Sequence, residues 1–141
     1  MNQFIIATHS TLAEGFANVI RFFNAELENV QFINAYVESQ EFEKDFRECL
    51  EPVKGQNVIV LTDILGGSVN QVATGLLSEY GYHLITGINL SLLLEMIFVP
   101  DDITGEQIEE MIVRAKDQMI YLNAGIPAED TLPEQEDEDE L

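Results

Sequence analysis

His9 and Asp63 are the residues whose types and positions offer chemistry, because each closes a run of apolar residues. Phe4-Ile5-Ile6-Ala7-Thr8 runs into His9, and Asn57-Val58-Ile59-Val60-Leu61-Thr62 runs into Asp63. Uncharged runs of this kind read as strands buried on both faces, which puts both side chains at strand carboxyl ends. If the two strands are neighbours, His9 and Asp63 project into one crevice. A carboxylate that accepts a hydrogen bond from one ring nitrogen fixes the tautomer and leaves the other nitrogen's lone pair free to attack. It also stabilises the positive charge the ring gains once phosphorylated.

The neighbouring residues suit an anion. In Ser10-Thr11-Leu12-Ala13-Glu14, Thr11 and Glu14 have capping-box spacing, so a helix is expected to start beside His9. Its unpaired N–H groups and partial positive charge would favour a phosphate there, with Ser10 and Thr11 in contact. Gly66 and Gly67 allow the backbone close to an oxyanion, and Ser68, read as the cap of the next helix, adds a hydroxyl. Each part also has a plainer role: Asp63 can cap a turn, Gly66-Gly67 can be a tight connection, and Ser68 can be a cap alone. Their convergence on one sheet edge gives them weight. His83 reads as structural or exposed, and two histidines in all argue against a metal site. There is no G-x-x-x-x-G-K-[ST] pattern, so a P-loop nucleotide enzyme is not indicated and no cofactor is expected.

The elements that must position these residues alternate. Strand one leads to an amphipathic helix over about 11–24, with Leu12, Phe16, Ile20 and Phe23 as its stripe. A strand over 30–37 precedes a helix over 41–50 striped by Phe42, Phe46 and Cys49. Strand three precedes a helix marked by Val69, Val72, Ala73, Leu76, Leu77 and Tyr80 and stopped by Gly81. A strand over 82–87 leads to a nearly all-apolar helix over 89–98, whose missing polar face implies a cover such as a second subunit. Thr104 and Gln107 cap a last helix with Ile108, Met111, Ile112, Ala115 and Met119 buried, and residues 121–126 read as one more strand. The pattern requires parallel pairing through right-handed crossovers: an α/β, doubly wound, mainly parallel four-stranded sheet of order 2-1-3-4, helices on both faces. Ligands of such sheets bind at strand carboxyl ends, where strand order reverses.

At 141 residues the chain fits one domain, assigned to 1–126, and its 46% hydrophobic content supports a core. The net charge is −20, but eight acidic residues between Glu129 and Glu140 belong to an acidic, proline-interrupted segment over 127–141 that reads as disordered. Without those eight the charge is −12, which repels nucleic acid and anionic membrane and favours a partner with a basic docking face. One cysteine, Cys49, excludes an intramolecular disulfide and fits a reducing compartment. No apolar stretch approaches the roughly 20 residues of a membrane span, and a cytoplasmic protein is expected.

Three segments carry a family resemblance. Ala7-Thr8-His9-Ser10, with Glu14 after it, resembles the G-T-H-G segment of the mannose-type IIA components of the bacterial phosphoenolpyruvate:sugar phosphotransferase system. Asp63-Ile64-Leu65-Gly66-Gly67-Ser68 resembles that family's D-x-x-G-G-S loop, and Gly87-Ile88-Asn89 with Leu94-Glu95 is similar to its G-[VI]-N-x-P-M-L-x-E segment. The similarity runs in order over roughly residues 3–125. It implies a histidine phosphocarrier: His9 takes a phosphoryl group from phospho-HPr and passes it to a IIB component, with IIC and IID membrane components downstream. Asp63 orients the imidazole, and Ser68 with the adjacent amides contacts phosphate. The resemblance also implies a homodimer that exchanges a C-terminal strand, here 121–126. Ser10 departs from the second glycine of G-T-H-G, Val69 from a frequent proline, and Ser91 from the proline of the third segment. Ser10 is also similar to the related phosphotransfer subunit of dihydroxyacetone kinase, although the G-G-S loop fits the mannose type better. A receiver-like module phosphorylated on Asp63, with Thr86 as switch hydroxyl, is a further alternative that lacks the acidic pair for magnesium and a lysine after a later strand. So is a non-catalytic domain that binds through its acidic surface.

Overall fold

The computed structural model describes residues 1–125; the segment expected to be disordered, 127–141, and Ile126 lie outside them. Four parallel strands form one sheet in the order β2-β1-β3-β4: β1 Asn2–His9, β2 Val30–Ala35, β3 Asn57–Thr62 and β4 His83–Thr86. The expected topology is therefore the observed one. Alternation along the two central strands divides the core. Phe4, Ile6, Ile59 and Leu61 face a layer of α1 (Leu12–Phe23), α5 (Leu90–Met96) and α6 (Gly105–Lys116). Ile5, Ala7, Val58 and Val60 face α2 (Phe42–Leu50) and α3 (Ser68–Gly75), and a short α4 (Leu77–Tyr80) follows.

Strand order reverses between β1 and β3, because the chain leaves β1 for one neighbour and later returns to its other side. β1 ends on His9, and Asp63 directly follows β3. The register sets Ala7 opposite Thr62, so Asp63 leaves the sheet one residue before the level of His9, near enough for its side chain to reach both the main chain and the ring of His9.

Several local expectations change. The stripe of α1 is Ala13, Ala17 and Ile20, while Leu12 is 48% exposed and Phe23 also meets solvent. The small alanines let the helix lie close on the sheet, and that proximity selects the buried face over side-chain size. Thr11 and Glu14 form no capping box. The buried Thr8 hydroxyl instead accepts from Ala13 N–H at 2.6 Å, and Asn34 accepts from Glu14 N–H while donating to its carboxylate. The helix expected over Val69 to Tyr80 is broken at Leu76 into α3 and α4, and Gly81 ends it in the left-handed region.

The apolar α5 is covered by this chain itself, with Leu92, Leu93 and Met96 buried in the core shared with α6. Thr104 and Gln107 make both bonds of the expected capping box. Met119, expected in the α6 stripe, lies beyond the helix and is 88% exposed. Residues 121–125 form no strand; Leu122–Ala124 is a 3-10 turn. Among the described residues this segment pairs with neither edge strand of the sheet, β2 or β4.

Candidate functional site

The site is built where β1 and β3 end. Asp63 clamps His9 twice: its Oδ2 accepts the main-chain N–H of His9 at 3.0 Å and faces ring Nδ1 at 3.1 Å, with Oδ1 at 3.3 Å. A carboxylate only accepts, so this contact puts the ring proton on Nδ1 and leaves Nε2 with a lone pair. Asp63 is only 14% exposed and the imidazole 40%, so the carboxylate is held while the ring's far side meets solvent. Nε2 faces Ser68 Oγ at 3.3 Å.

The loop between Asp63 and Ser68 is pinned at one residue. Gly66, at φ +78, gives its N–H to Asn70 Oδ1 at 3.1 Å, and its carbonyl accepts from Gln71 Nε2 at 2.7 Å. Asn70 is buried and also donates to Thr62 Oγ1, which ties the loop back to β3. Gly67 is the N-cap of α3, and a β-carbon there would fall 3.0 Å from His9 Cε1. The imidazole therefore packs on the bare face of a glycine. Ser68 is the first residue of α3 rather than its cap, and this leaves its hydroxyl available to the ring.

Of the two helix starts that the sequence offers beside the site, it is that of α3 whose first residue faces the imidazole. At the start of α1 the amides of Ala13, Glu14 and Gly15 are taken by Thr8, Asn34 and the Thr11 carbonyl. In α3 the first intrahelical bond runs from Gln71 N–H to the Gly67 carbonyl. The N–H groups of Ser68, Val69 and Asn70 precede it, and such groups suit an anion beside Nε2.

Of the expected site residues, His9, Asp63, Gly67 and Ser68 come together, with Gly66 shaping the loop. Ser10 and Thr11 follow His9 directly, but among the described residues their hydroxyls make no hydrogen bond to this cluster. Ser10 sits at φ +55, a conformation glycine favours, and gives its N–H to the Ala35 carbonyl. Thr11 lines a groove of about 640 Å³ along β2 with Glu14, Asn34 and Val37. His83 is half-buried on β4, away from His9. Asn89 of the third segment is structural: it caps α5 by accepting from Leu92 N–H and donates to the Ala115 carbonyl. Glu95 pairs with Arg114 across α5 and α6.

Tyr36 was not foreseen. Its phenol donates to Ser68 Oγ at 2.9 Å, and its ring lies 6.0 Å from the imidazole. A tyrosine one residue past a strand carries no pattern that would single it out. Among the described residues, no group of three or more His, Cys, Asp or Glu side chains is placed to hold a metal ion, and no helix is long and apolar enough to cross a membrane.

Comparison with known proteins bears on the family and the fold. The family model described as PTS system fructose IIA component matches residues 3–113. No curated protein matches the chain significantly. Among solved structures, one similar chain is a Klebsiella pneumoniae protein assigned as a permease of the phosphoenolpyruvate-dependent sugar phosphotransferase system. It is 30% identical with a TM-score of 0.77, over 89% of this chain and 94% of that one. A Streptococcus pneumoniae PTS IIA protein associated with a fucose utilization operon is 27% identical with a TM-score of 0.75, over 87% and 94%. The mannose/sorbose-specific IIA subunit of Enterococcus faecalis, 18% identical with a TM-score of 0.75 over 95% and 98%, shares the fold. The matched model spans most of the chain, and the chain therefore belongs to the PTS system fructose IIA component family, the mannose-type IIA components of the sugar phosphotransferase system.

Proposed function

We propose that the chain is the histidine phosphocarrier of a sugar phosphotransferase system, accepting a phosphoryl group on Nε2 of His9 from phospho-HPr and passing it to a IIB component during sugar uptake. The observation that carries this reading is the imidazole held between two partners, Nδ1 on Asp63 and Nε2 at the head of α3 beside Ser68. The lone pair of Nε2 attacks the phosphorus in line as the nitrogen–phosphorus bond of the donor histidine breaks. The donor leaves with its nitrogen lone pair, and the Nδ1 proton stays on His9, bonded to Asp63. Phosphoryl transfer asks mainly for positioning and for stabilisation of charge on the equatorial oxygens. The Ser68 hydroxyl and the amides of Ser68, Val69 and Asn70 supply the second, with Gly66 and Gly67 opening the approach and Ser10 and Thr11 on the adjoining rim. The reading needs no cofactor or nucleic acid.

HPr and IIB are the direct partners in this reading, IIC and IID the indirect ones. The acidic surface suits a basic docking face. We place the carrier in the cytoplasm, and as a homodimer in which the chain around 121–126 pairs with a partner's sheet edge. The test is transfer of label from phospho-HPr to the full chain and on to IIB. Wild type should accept label and His9→Ala should not. Label persisting in His9→Ala would overturn the proposal, and discharge to a dihydroxyacetone kinase instead of IIB would assign the carrier to that system.

A further inference from the structure

Tyr36 occupies a place its strand would not give it. Residues 33 and 35 of β2 face the layer of α2 and α3, so an extended residue 36 would face the α1 side. Instead Tyr36 turns into the left-handed region, φ +66, which a bulky side chain rarely adopts. That turn swings the ring back to the α2 and α3 layer, where it packs 6.3 Å from Phe42 and sends its hydroxyl to Ser68. The main-chain carbonyl of Tyr36 accepts from Gln40, which helps hold the turn. Strain of this kind at the rim of a site is retained where the side chain it delivers has a use.

The use follows from the inventory of a hydroxyl. Ser68 Oγ has one hydrogen to give and two lone pairs to accept with. With the Tyr36 phenol donating to one lone pair at 2.9 Å, the Ser68 hydrogen is directed to the remaining partner at 3.3 Å, Nε2 of His9, whose own proton is held on Nδ1 by Asp63. The chain Tyr36 to Ser68 to His9 thus has a single direction. We infer that Tyr36 is a positioning residue of the phosphoryl site, its phenol holding the Ser68 hydroxyl so that Ser68 donates first to Nε2 of His9 and then to the phosphoryl oxygen that arrives there. The second half of this inference rests on the phosphocarrier reading; the first half does not. Without the phenol the Ser68 hydroxyl is free to rotate and to donate to water.

The experiment uses the full chain as wild type, Y36F, S68A and the double variant Y36F/S68A. Phenylalanine keeps the ring that packs on Phe42 and removes only the hydroxyl. With phospho-HPr as donor, Y36F should lower kcat about three- to ten-fold, the rate equivalent of one neutral hydrogen bond, at unchanged KM and Tm. In the S68A background it should change nothing further. A wild-type kcat for Y36F overturns the inference, as does an equal loss on S68A, which would mean that the phenol acts without Ser68. A second readout needs no phosphoryl donor: the nitrogen-15 shift of His9 Nε2 should move in Y36F toward its S68A value. An unmoved resonance overturns the inference even if wild type accepts no label, whereas failure of wild type alone to accept label strikes the phosphocarrier reading.

Discussion

Gly67→Ala isolates the contact between the imidazole and the loop from the stability of the fold. Gly67 sits at φ −68 and ψ 165, which alanine adopts without strain, so the backbone has no reason to object. The new β-carbon would lie 2.6 Å from Ile64 Cγ2 and 3.0 Å from His9 Cε1. Ile64 is exposed and can turn away, at about 1 kcal/mol for an off-rotamer side chain. The loss of a glycine from the unfolded chain offsets about 0.4–1 kcal/mol of that, so Tm should stay within a few degrees of wild type. The imidazole has no such freedom, because Asp63 holds both its ring and its main chain. To reach ordinary contact it must retreat by roughly 0.4 Å, and the 3.3 Å approach to Ser68 is already long for a hydrogen bond. Since a 1 Å misplacement costs about 10²-fold in rate, this shift should slow acceptance from phospho-HPr roughly ten-fold. Initial rates at saturating donor, alongside thermal melts, measure both quantities. Gly66→Ala is the contrasting case, with open space but a φ of +78, and should lose stability first. A wild-type transfer rate in Gly67→Ala would refute the idea that the ring is held against this glycine.

Other outcomes follow from the same geometry. Asp63→Asn keeps one acceptor oxygen but puts an NH2 donor where Oδ1 faces Nδ1 and removes the negative charge beside the ring, and should slow phosphoryl acceptance about 10- to 100-fold with little change in circular dichroism. Ser10→Gly removes a side chain from a left-handed position and should stabilise the fold by about 0.5–1 kcal/mol, read as a higher midpoint in urea. The Cys49 thiol is pushed up from its ordinary value by burial, with Asp45 and Glu48 adding to the effect. At pH 8 it should therefore alkylate with iodoacetamide more slowly than a free thiol, speeding up with further rise in pH and on unfolding in urea. Deletion of residues 129–141 should leave acceptance from phospho-HPr within about two-fold of wild type, since the matched family region ends at 113; a large loss of rate would give the acidic segment a part in transfer.

The sheet was legible because its central strands bury both faces: β3 runs from Asn57 to Thr62, with every position after the first buried, as its unbroken apolar pattern implies. His9 and Asp63 were legible for the same reason, since a polar residue that ends such a run must sit at the rim. The face of α1 was misread because Leu12 and Phe23 outweigh Ala13 and Ala17 in hydrophobicity, whereas close packing on a sheet favours the small residues. The capping box expected at the start of α1 is absent because Thr8, buried in β1, takes the capping role that the spacing of Thr11 and Glu14 advertises. Tyr36 stayed hidden because a left-handed φ is announced by glycine or asparagine and not by tyrosine. Asn70 and Gln71 look like ordinary helix residues, and only the fold shows them gripping the main chain on both sides of Gly66.

The central claim concerns which atom receives the phosphoryl group, and long-range proton–nitrogen correlation of the phosphorylated, nitrogen-15 histidine-labelled chain reads it directly. The hydrogen bond from Nδ1 to Asp63 predicts phosphorus on Nε2 of His9, with Nδ1 still protonated. Phosphorus on Nδ1, on His83 or on Asp63 would contradict it.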